Sequence, residues 1–136
     1  MSTKAGQLQE AYPDTLVITD RALASCEQMN PNNPPARLWR IFQSMDDVCW
    51  RWRTDTLDNM SIAMASQQLG FKMSLVSDVT KARHPNAYYF TYKGSRVSVG
   101  PHVQISGGER VYWYQDEDDR QFVVNHVGGH LPDSTT

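Results

Sequence analysis

The chain is poor in cysteine, in long apolar runs and in net charge. Its two cysteines among 136 residues, Cys26 and Cys49, fall in patterns typical of helices, where cysteine usually serves as a small buried apolar residue. We therefore expect free thiols and no disulfide. No apolar stretch approaches the ~20 residues that a membrane span needs, and the first residues lead into polar sequence rather than a secretion signal. The sequence predicts a cytoplasmic protein without a membrane partner.

The net charge of −2 argues against indiscriminate binding to nucleic acid, but the basic residues are unevenly distributed. Local potential, rather than net charge, steers a charged ligand toward a protein. Residues 81–114 therefore keep RNA or another polyanion open as a partner. This segment carries five basic residues against the single acidic Glu109, namely Lys81, Arg83, Lys93, Arg96 and Arg110.

The length of the chain suits one hydrophobic core. We predict a flexible lead-in over residues 1–13, a single α+β domain over 14–131 and a loose tail over 132–136. Residues 15–19 form a short β-branched run, and Asp20 follows as a candidate N-cap for a helix over 21–29. The proline-rich segment 30–35 must end that helix, because proline removes backbone donors and restricts the residue before it.

The most regular helical pattern covers residues 36–53. Apolar side chains recur there at the spacing of one buried helix face. They are Leu38, Ile41, Phe42, Met45, Val48, Cys49 and Trp52. Ser61 predicts the cap of a shorter helix over 62–69, which Gly70 would close in the left-handed conformation. Residues 71–86 fit no single pattern.

After Pro85 the apolar pattern changes to the alternation of strands. Four strands are predicted, over residues 87–92, 96–106, 110–115 and 121–127. Their short connections favour antiparallel neighbours. The predicted fold class is therefore α+β, with an antiparallel sheet of four or five strands and two or three N-terminal helices packed on one face. The strand over 15–19 would join at an edge or between strands.

Alternation along the strands predicts which side chains share a face of the sheet. Val111 and Trp113 would face the helices, whereas Arg110, Tyr112 and Tyr114 would point the other way. Gly100-Pro101 interrupts the preceding strand, and we expect a bulge there that places His102 on the polar face. A turn at Gly128-Gly129 would bring His130 to the same face as Arg96, while the face of His126 stays open.

Imidazole, phenol and guanidinium groups around one hollow can carry out proton transfer and bind phosphate. Histidine acts as base or acid near neutral pH, tyrosine orients a hydroxyl, and arginine stabilises charge developing on phosphate. These are the parts of a ribonuclease that uses neither metal nor cofactor, in which a 2′-hydroxyl attacks the adjacent phosphorus. The alternative is a solvated sheet face with hydrogen-bonded histidines, which implies no catalysis.

Two patterns invite comparison with metal sites. His126 and His130 are four residues apart, but the glycines between them disfavour the helix on which that spacing would place both imidazoles on one metal. The acidic run over 116–119 lacks the alternating ligands of a calcium-binding loop and is typical of a solvated turn. We therefore expect no metal site.

The final hairpin combines Arg110-Val-Tyr-Trp-Tyr114, an acidic turn and Phe122-Val-Val-Asn-His-Val-Gly-Gly-His130. With the order strand, helix, helix, strand meander, it resembles the RelE/ParE superfamily of bacterial toxins. Members carry an arginine-led strand, an acidic turn, and a last strand ending in Val-Gly-x before a basic residue or histidine. The specific part covers residues 110–130, and the element order covers about 15–131. The resemblance implies a RelE-like fold, cleavage of mRNA with or without the ribosome, and a protein antitoxin as partner.

The resemblance also implies roles for individual residues. Arg110 would contact the scissile phosphate, and His130 lies at the position where ribonuclease members carry a basic or imidazole side chain. The hairpin pattern itself adds His126 as an alternative group for the proton and Tyr112 as a further catalytic candidate. The resemblance also implies basic contacts to RNA from Lys81, Arg83, Lys93 and Arg96. The predicted polar face adds His102 and Tyr114 as RNA-binding candidates.

Two other functions stay open. The first is a non-enzymatic phage or mobile-element factor that binds a host protein, favoured by the acidic net charge and by Trp39, Tyr88 and Tyr89 as candidate exposed aromatics. The second is a ParE-like inhibitor of gyrase.

Overall fold

Five helices and seven strands make up the described part of the chain, residues 10–29 and 35–132 of a computed structural model. The predicted lead-in and tail lie mostly outside these residues. The helices are α1 (Asp20–Glu27), α2 (Pro35–Arg53), α3 (Ile62–Gln68), α4 (Asp78–Arg83) and α5 (Pro85–Tyr88). The strands are β1 (Leu16–Ile18), β2 (Ser74–Leu75), β3 (Tyr89–Tyr92), β4 (Ser95–Ser98), β5 (Pro101–Ser106), β6 (Glu109–Asp116) and β7 (Gln121–Gly129).

The main sheet has the strand order β1-β7-β6-β5-β2 and is mixed rather than antiparallel. The predicted α+β class is confirmed, but the all-antiparallel sheet is wrong, because β1 runs parallel to β7 with Leu16 opposite Phe122. A parallel pair needs a long crossover, and the helices and strands between β1 and β7 supply one. Strand β7 is apolar on both faces, as expected of an inner strand.

The predicted four-stranded meander is also wrong, because its first predicted strand is not part of the main sheet. Strands β3 and β4 pair with each other in a separate two-stranded ribbon, closed by Lys93 and Gly94, which both have positive φ. The predicted strand over 96–106 is split into β4 and β5, and at the break the amide of Gly100 donates to the carbonyl oxygen of Trp113. Pro101 has no amide hydrogen to continue the ladder, so the break falls beside it.

The main core lies between α2 and one face of the sheet. Leu38, Phe42 and Met45 of α2 are fully buried there. Val111 and Trp113 belong to the same cluster, so their predicted direction toward the helices is confirmed. The ring of Trp113 stacks on that of Phe122 with 5.5 Å between centroids.

The opposite face of the sheet is partly covered by a second apolar cluster. Tyr88 from α5 packs there with Val99, Tyr112 and Leu131. The prediction of an open polar face is therefore wrong at Tyr112, which is 1% exposed.

The helix termini follow the local sequence closely. Ser61 accepts a hydrogen bond from the amide of Met64 and caps α3, as predicted. At the other end of this helix Gly70 has φ +92, the predicted left-handed conformation. The cap of α1 is Thr19 rather than Asp20, because the Thr19 hydroxyl accepts from the amide of Ala22 while Asp20 occupies the first helical position. Over the described residues, none of the helices has the length and apolar character required to traverse a lipid bilayer.

Candidate functional site

A cavity of about 760 Å³ opens beside the strand β5. We call it the basic cavity. Strand β2 pairs only with Pro101 and His102 of β5, and the residues that follow, Val103 and Gln104, line the cavity. The other walls come from the first half of α2, the segment after α3, the start of β6 and the residue after β7. The lining is Arg37, Arg40, Ile41, Gln43, Ser44, Leu69, Gly70, Phe71, Lys72, Ser74, His102, Val103, Gln104, Arg110 and His130.

The charged side chains that line the basic cavity are all positive among the described residues. Four cationic side chains line it, Arg37, Arg40, Lys72 and Arg110, and within the described residues no carboxylate does. These cations come from three separate walls. Arg37 also lies in the first turn of α2, where the helix dipole adds partial positive charge. The cavity is therefore suited to a ligand with several negative charges.

Arg37 is held against the sheet. Its Nε donates a hydrogen bond to the carbonyl oxygen of Ile105. This contact joins α2 to the edge of β5 that β2 leaves uncovered. The guanidinium therefore remains at the wall of the cavity with further N–H groups available for a ligand in the fork geometry that suits phosphate.

His102 lies half-buried on β5 with one ring nitrogen engaged. Its Nδ1 is 3.2 Å from the carbonyl oxygen of Gly100. Because a carbonyl only accepts, we assign the proton to Nδ1, which leaves Nε2 as the proton acceptor. Burial lowers the pKa of His102, and the positive charges of Arg110 and His130 lower it further. The hydrogen bond to Gly100 acts in the opposite direction and raises this pKa. Near neutral pH the imidazole is therefore neutral and competent as a base.

Arg110 is positioned by the turn between β5 and β6. Its Nη1 donates to the carbonyl oxygen of Gly107 at 3.3 Å, and Nε2 of Gln104 donates to the same oxygen at 2.7 Å. Gln104 and Arg110 are directly opposite each other on the two strands. The turn thus holds a cation and a neutral amide side by side at the cavity wall.

His130 follows β7 and is exposed. Its amide donates to the carbonyl oxygen of Gly108 at 2.9 Å. The next amide, that of Leu131, donates to the hydroxyl of Tyr112 at 3.3 Å. The backbone on both sides of this imidazole is therefore fixed to β6 and to the turn before it.

The structure brings together three of the residues that the sequence singles out. His102, Arg110 and His130 line the same cavity, as alternation along β5 and β6 predicts for the first two. The positive charges of Arg110 and His130 both act to lower the pKa of His102. Their chemical roles remain predictions.

The other two catalytic candidates, His126 and Tyr112, do not line the basic cavity. Tyr112 is buried at the centre of the sheet. The Nε2 of His126 is 2.7 Å from the carbonyl oxygen of Gly129, and burial lowers the pKa of this histidine. On that side α1 closes against β7, and a Cβ added at Gly128 would lie 3.4 Å from the carbonyl oxygen of Ser25.

Most of the predicted RNA contacts also lie elsewhere. Lys81 donates a hydrogen bond to the hydroxyl of Ser98. Lys93 forms ion pairs with Asp116 and Asp119. The guanidinium of Arg96 lies 4.1 Å from the ring centroid of Tyr89. Tyr114 packs against the rings of Phe90 and Tyr92. Arg83 is exposed on α4. None of these five predicted residues is part of the cavity lining.

Three cavity cations are absent from the sequence-based candidates. Arg37 and Arg40 are three residues apart on α2 and so lie on one face of the helix. That spacing could have indicated a basic helix face, but the sequence explains Arg40 equally well as part of a solvated polar face. Lys72 lies in the segment 71–86, where the pattern gives no element to place it.

Comparisons with protein families, with curated proteins and with solved structures find no match for this chain. Among the described residues, no three or more histidine, cysteine, aspartate or glutamate side chains form a group able to hold a metal ion.

Proposed function

We propose that the protein is a toxin-like endoribonuclease that binds single-stranded RNA in the basic cavity. The observation that carries the proposal is the lining itself, in which four cations and two imidazoles occur without a carboxylate among the described residues. Single-stranded RNA presents closely spaced phosphates together with the 2′-hydroxyl that an imidazole base would deprotonate.

The proposed reaction needs only side chains of this chain. Nε2 of His102 removes the proton from a 2′-hydroxyl, and the resulting oxygen attacks the adjacent phosphorus. The bond from phosphorus to the 5′-oxygen breaks as His130 donates a proton to that leaving oxygen. Arg110 stabilises the negative charge that develops on the phosphoryl oxygens. The products are a 2′,3′-cyclic phosphate and a 5′-hydroxyl.

The resemblance of residues 110–130 to RelE/ParE toxins supports the same assignment. It adds mRNA as the substrate, free or on the ribosome, a protein antitoxin as partner, and the cytoplasm as the place of action. In this assignment the RNA contacts shift from Lys81, Lys93 and Arg96 to the cations of the cavity. Arg110 and His130 keep the roles that the resemblance implies.

Binding of a host protein without catalysis is the second candidate function. The three aromatic residues first considered for it do not favour it. Tyr88 is buried, Tyr89 lies beneath Arg96, and Trp39 is half-buried against the main core. Leu75 and Val79 favour it instead. They are 69% and 58% exposed, and Leu75 belongs to the edge strand β2, where another chain could pair.

A cleavage assay distinguishes these functions. Purified protein is incubated with RNA in the presence of EDTA, with and without translating ribosomes, and the cleaved ends are tested for a 2′,3′-cyclic phosphate. We expect cleavage, and a fall in rate of about 10²- to 10⁴-fold for His102→Gln or His130→Gln. His126→Gln is the matched control, because it removes an imidazole that lies outside the cavity lining.

Two results contradict the proposal. One is intact RNA under every condition, which leaves the protein-binding role. The other is an equal loss of activity in His126→Gln and His102→Gln, which shows that the cavity is not where the chemistry occurs.

A further inference from the structure

Three rings form a row across the centre of the main sheet. His102 of β5 is directly opposite Tyr112 of β6, and Tyr112 is directly opposite His126 of β7. The ring of Tyr112 stacks on the imidazole of His102, with 4.9 Å between centroids and 22° between planes. On its other side it meets the ring of His126 edge to face at 5.8 Å. His102 therefore has one face covered by a fully buried neighbour.

The hydroxyl of Tyr112 acts on a different segment. It accepts the hydrogen bond from the amide of Leu131, the residue directly after His130. Leu131 itself is buried in the cluster that contains Tyr88, Val99 and Tyr112. The exposed imidazole of His130 thus extends from a backbone that Tyr112 helps to hold in place. One side chain is in contact with both histidine-bearing segments of the basic cavity.

We propose that Tyr112 is a positioning residue that sets both imidazoles of the basic cavity, His102 through its ring and His130 through its hydroxyl. The inference rests on the proposed function, since it assigns both histidines to the reaction. It changes the role predicted for Tyr112, whose buried hydroxyl does not reach the cavity lining. The amide of Leu131 is buried and needs a hydrogen-bond acceptor, which the hydroxyl of Tyr112 provides. Phenylalanine would lack this acceptor, so the position requires tyrosine.

Tyr112→Phe separates the two contacts. It keeps the ring against His102 but removes the acceptor for the Leu131 amide. We expect kcat to fall by about 10²-fold, as for a misplaced catalytic group, while KM changes little because the cations that bind RNA are untouched. The pH dependence of kcat should keep its acidic limb, since His102 remains covered.

Tyr112→Leu removes both contacts and gives a second readout. Burial is the main reason that the pKa of His102 is lowered. Removing the stacked ring admits water to the imidazole, so its pKa should rise toward the ordinary value. The acidic limb of the rate profile should then move to higher pH, and an NMR titration of His102 should show the same shift. A merely structural role for Tyr112 would lower thermal stability without moving this limb.

Tyr114→Phe is the matched control, because Tyr114 lies on the same strand and face but packs against Phe90 and Tyr92. We expect it to retain the kcat and pH profile of the unmodified protein. An unmodified protein that cleaves no RNA overturns the proposed function and the role of Tyr112 with it. An active protein whose Tyr112→Phe variant matches it in kcat overturns the role of Tyr112 alone, as does an equal loss in Tyr114→Phe.

Discussion

Neutralising two cations of the basic cavity should change how RNA binding responds to salt. Arg40 and Lys72 are exposed and belong to separate walls, so Arg40→Gln with Lys72→Gln removes charge without disturbing the core. The four cations of the lining can neutralise up to four phosphates. For single strands this predicts a slope of about −2.8 in a plot of log K against log salt, and about −1.4 for the double variant. Between about 50 and 200 mM salt, affinity should fall about 50-fold and about 7-fold respectively.

The measurement is fluorescence anisotropy with a short labelled RNA whose 2′-hydroxyls are replaced by hydrogen, so that it binds without being cleaved. Arg83→Gln with Arg96→Gln is the matched control. It removes the same charge at exposed positions outside the cavity lining. We expect it to keep the slope of the unmodified protein. A slope near zero for the unmodified protein, or the same reduced slope in both double variants, would refute the assignment of phosphate binding to the cavity.

Three further predictions concern stability and reactivity. Burial lowers the pKa of His102 and His126, so below about pH 6.5 the unfolded chain binds more protons than the folded one, and the free energy of unfolding should fall as pH drops through this range. Urea denaturation at several pH values tests this, and a flat dependence contradicts it. Burial raises the pKa of Cys49 to about 12, so a thiol reagent at about pH 8 should react with it only after unfolding; fast labelling of the native protein contradicts this. Gly128→Ala should cost about 1–3 kcal/mol because Gly128 has φ +150 and meets a carbonyl oxygen of α1, whereas Gly129→Ala, with open space around it, should change stability by less than about 0.5 kcal/mol. Similar denaturation midpoints for the two alanine variants would show that the close approach is unimportant.

Local patterns in the sequence predict the elements that depend on neighbouring residues. The apolar spacing from Leu38 to Trp52 predicts α2 within a residue at its start, and Ser61 with Gly70 predicts both ends of α3. Alternation in β6 predicts that Trp113 faces the core. Each of these depends on contacts within a few positions along the chain, or on one buried face.

Pairing between distant segments was not predictable in the same way. Nothing in residues 15–19 indicates a parallel partner, and nothing in residues 87–92 indicates that this strand leaves the main sheet. The same limit applies to the cavity. His102 and Arg110 follow from alternation on adjacent strands, but Arg37 and Lys72 reach the cavity only through the packing of α2 and the segment after α3 against the sheet. That packing is a property of the tertiary fold rather than of local spacing.

The position of β7 between β1 and β6 constrains the order in which the molecule can assemble during synthesis. Thr19 and Asn125, which are hydrogen-bonded to each other, are 106 residues apart. Contacts at such separation are closed late and slowly. The apolar side of α2 therefore has no complete sheet to cover it until residues 121–129 have emerged. A nascent chain stopped before Gln121 would expose that surface to aggregation or to chaperones instead of folding as a smaller version of the protein.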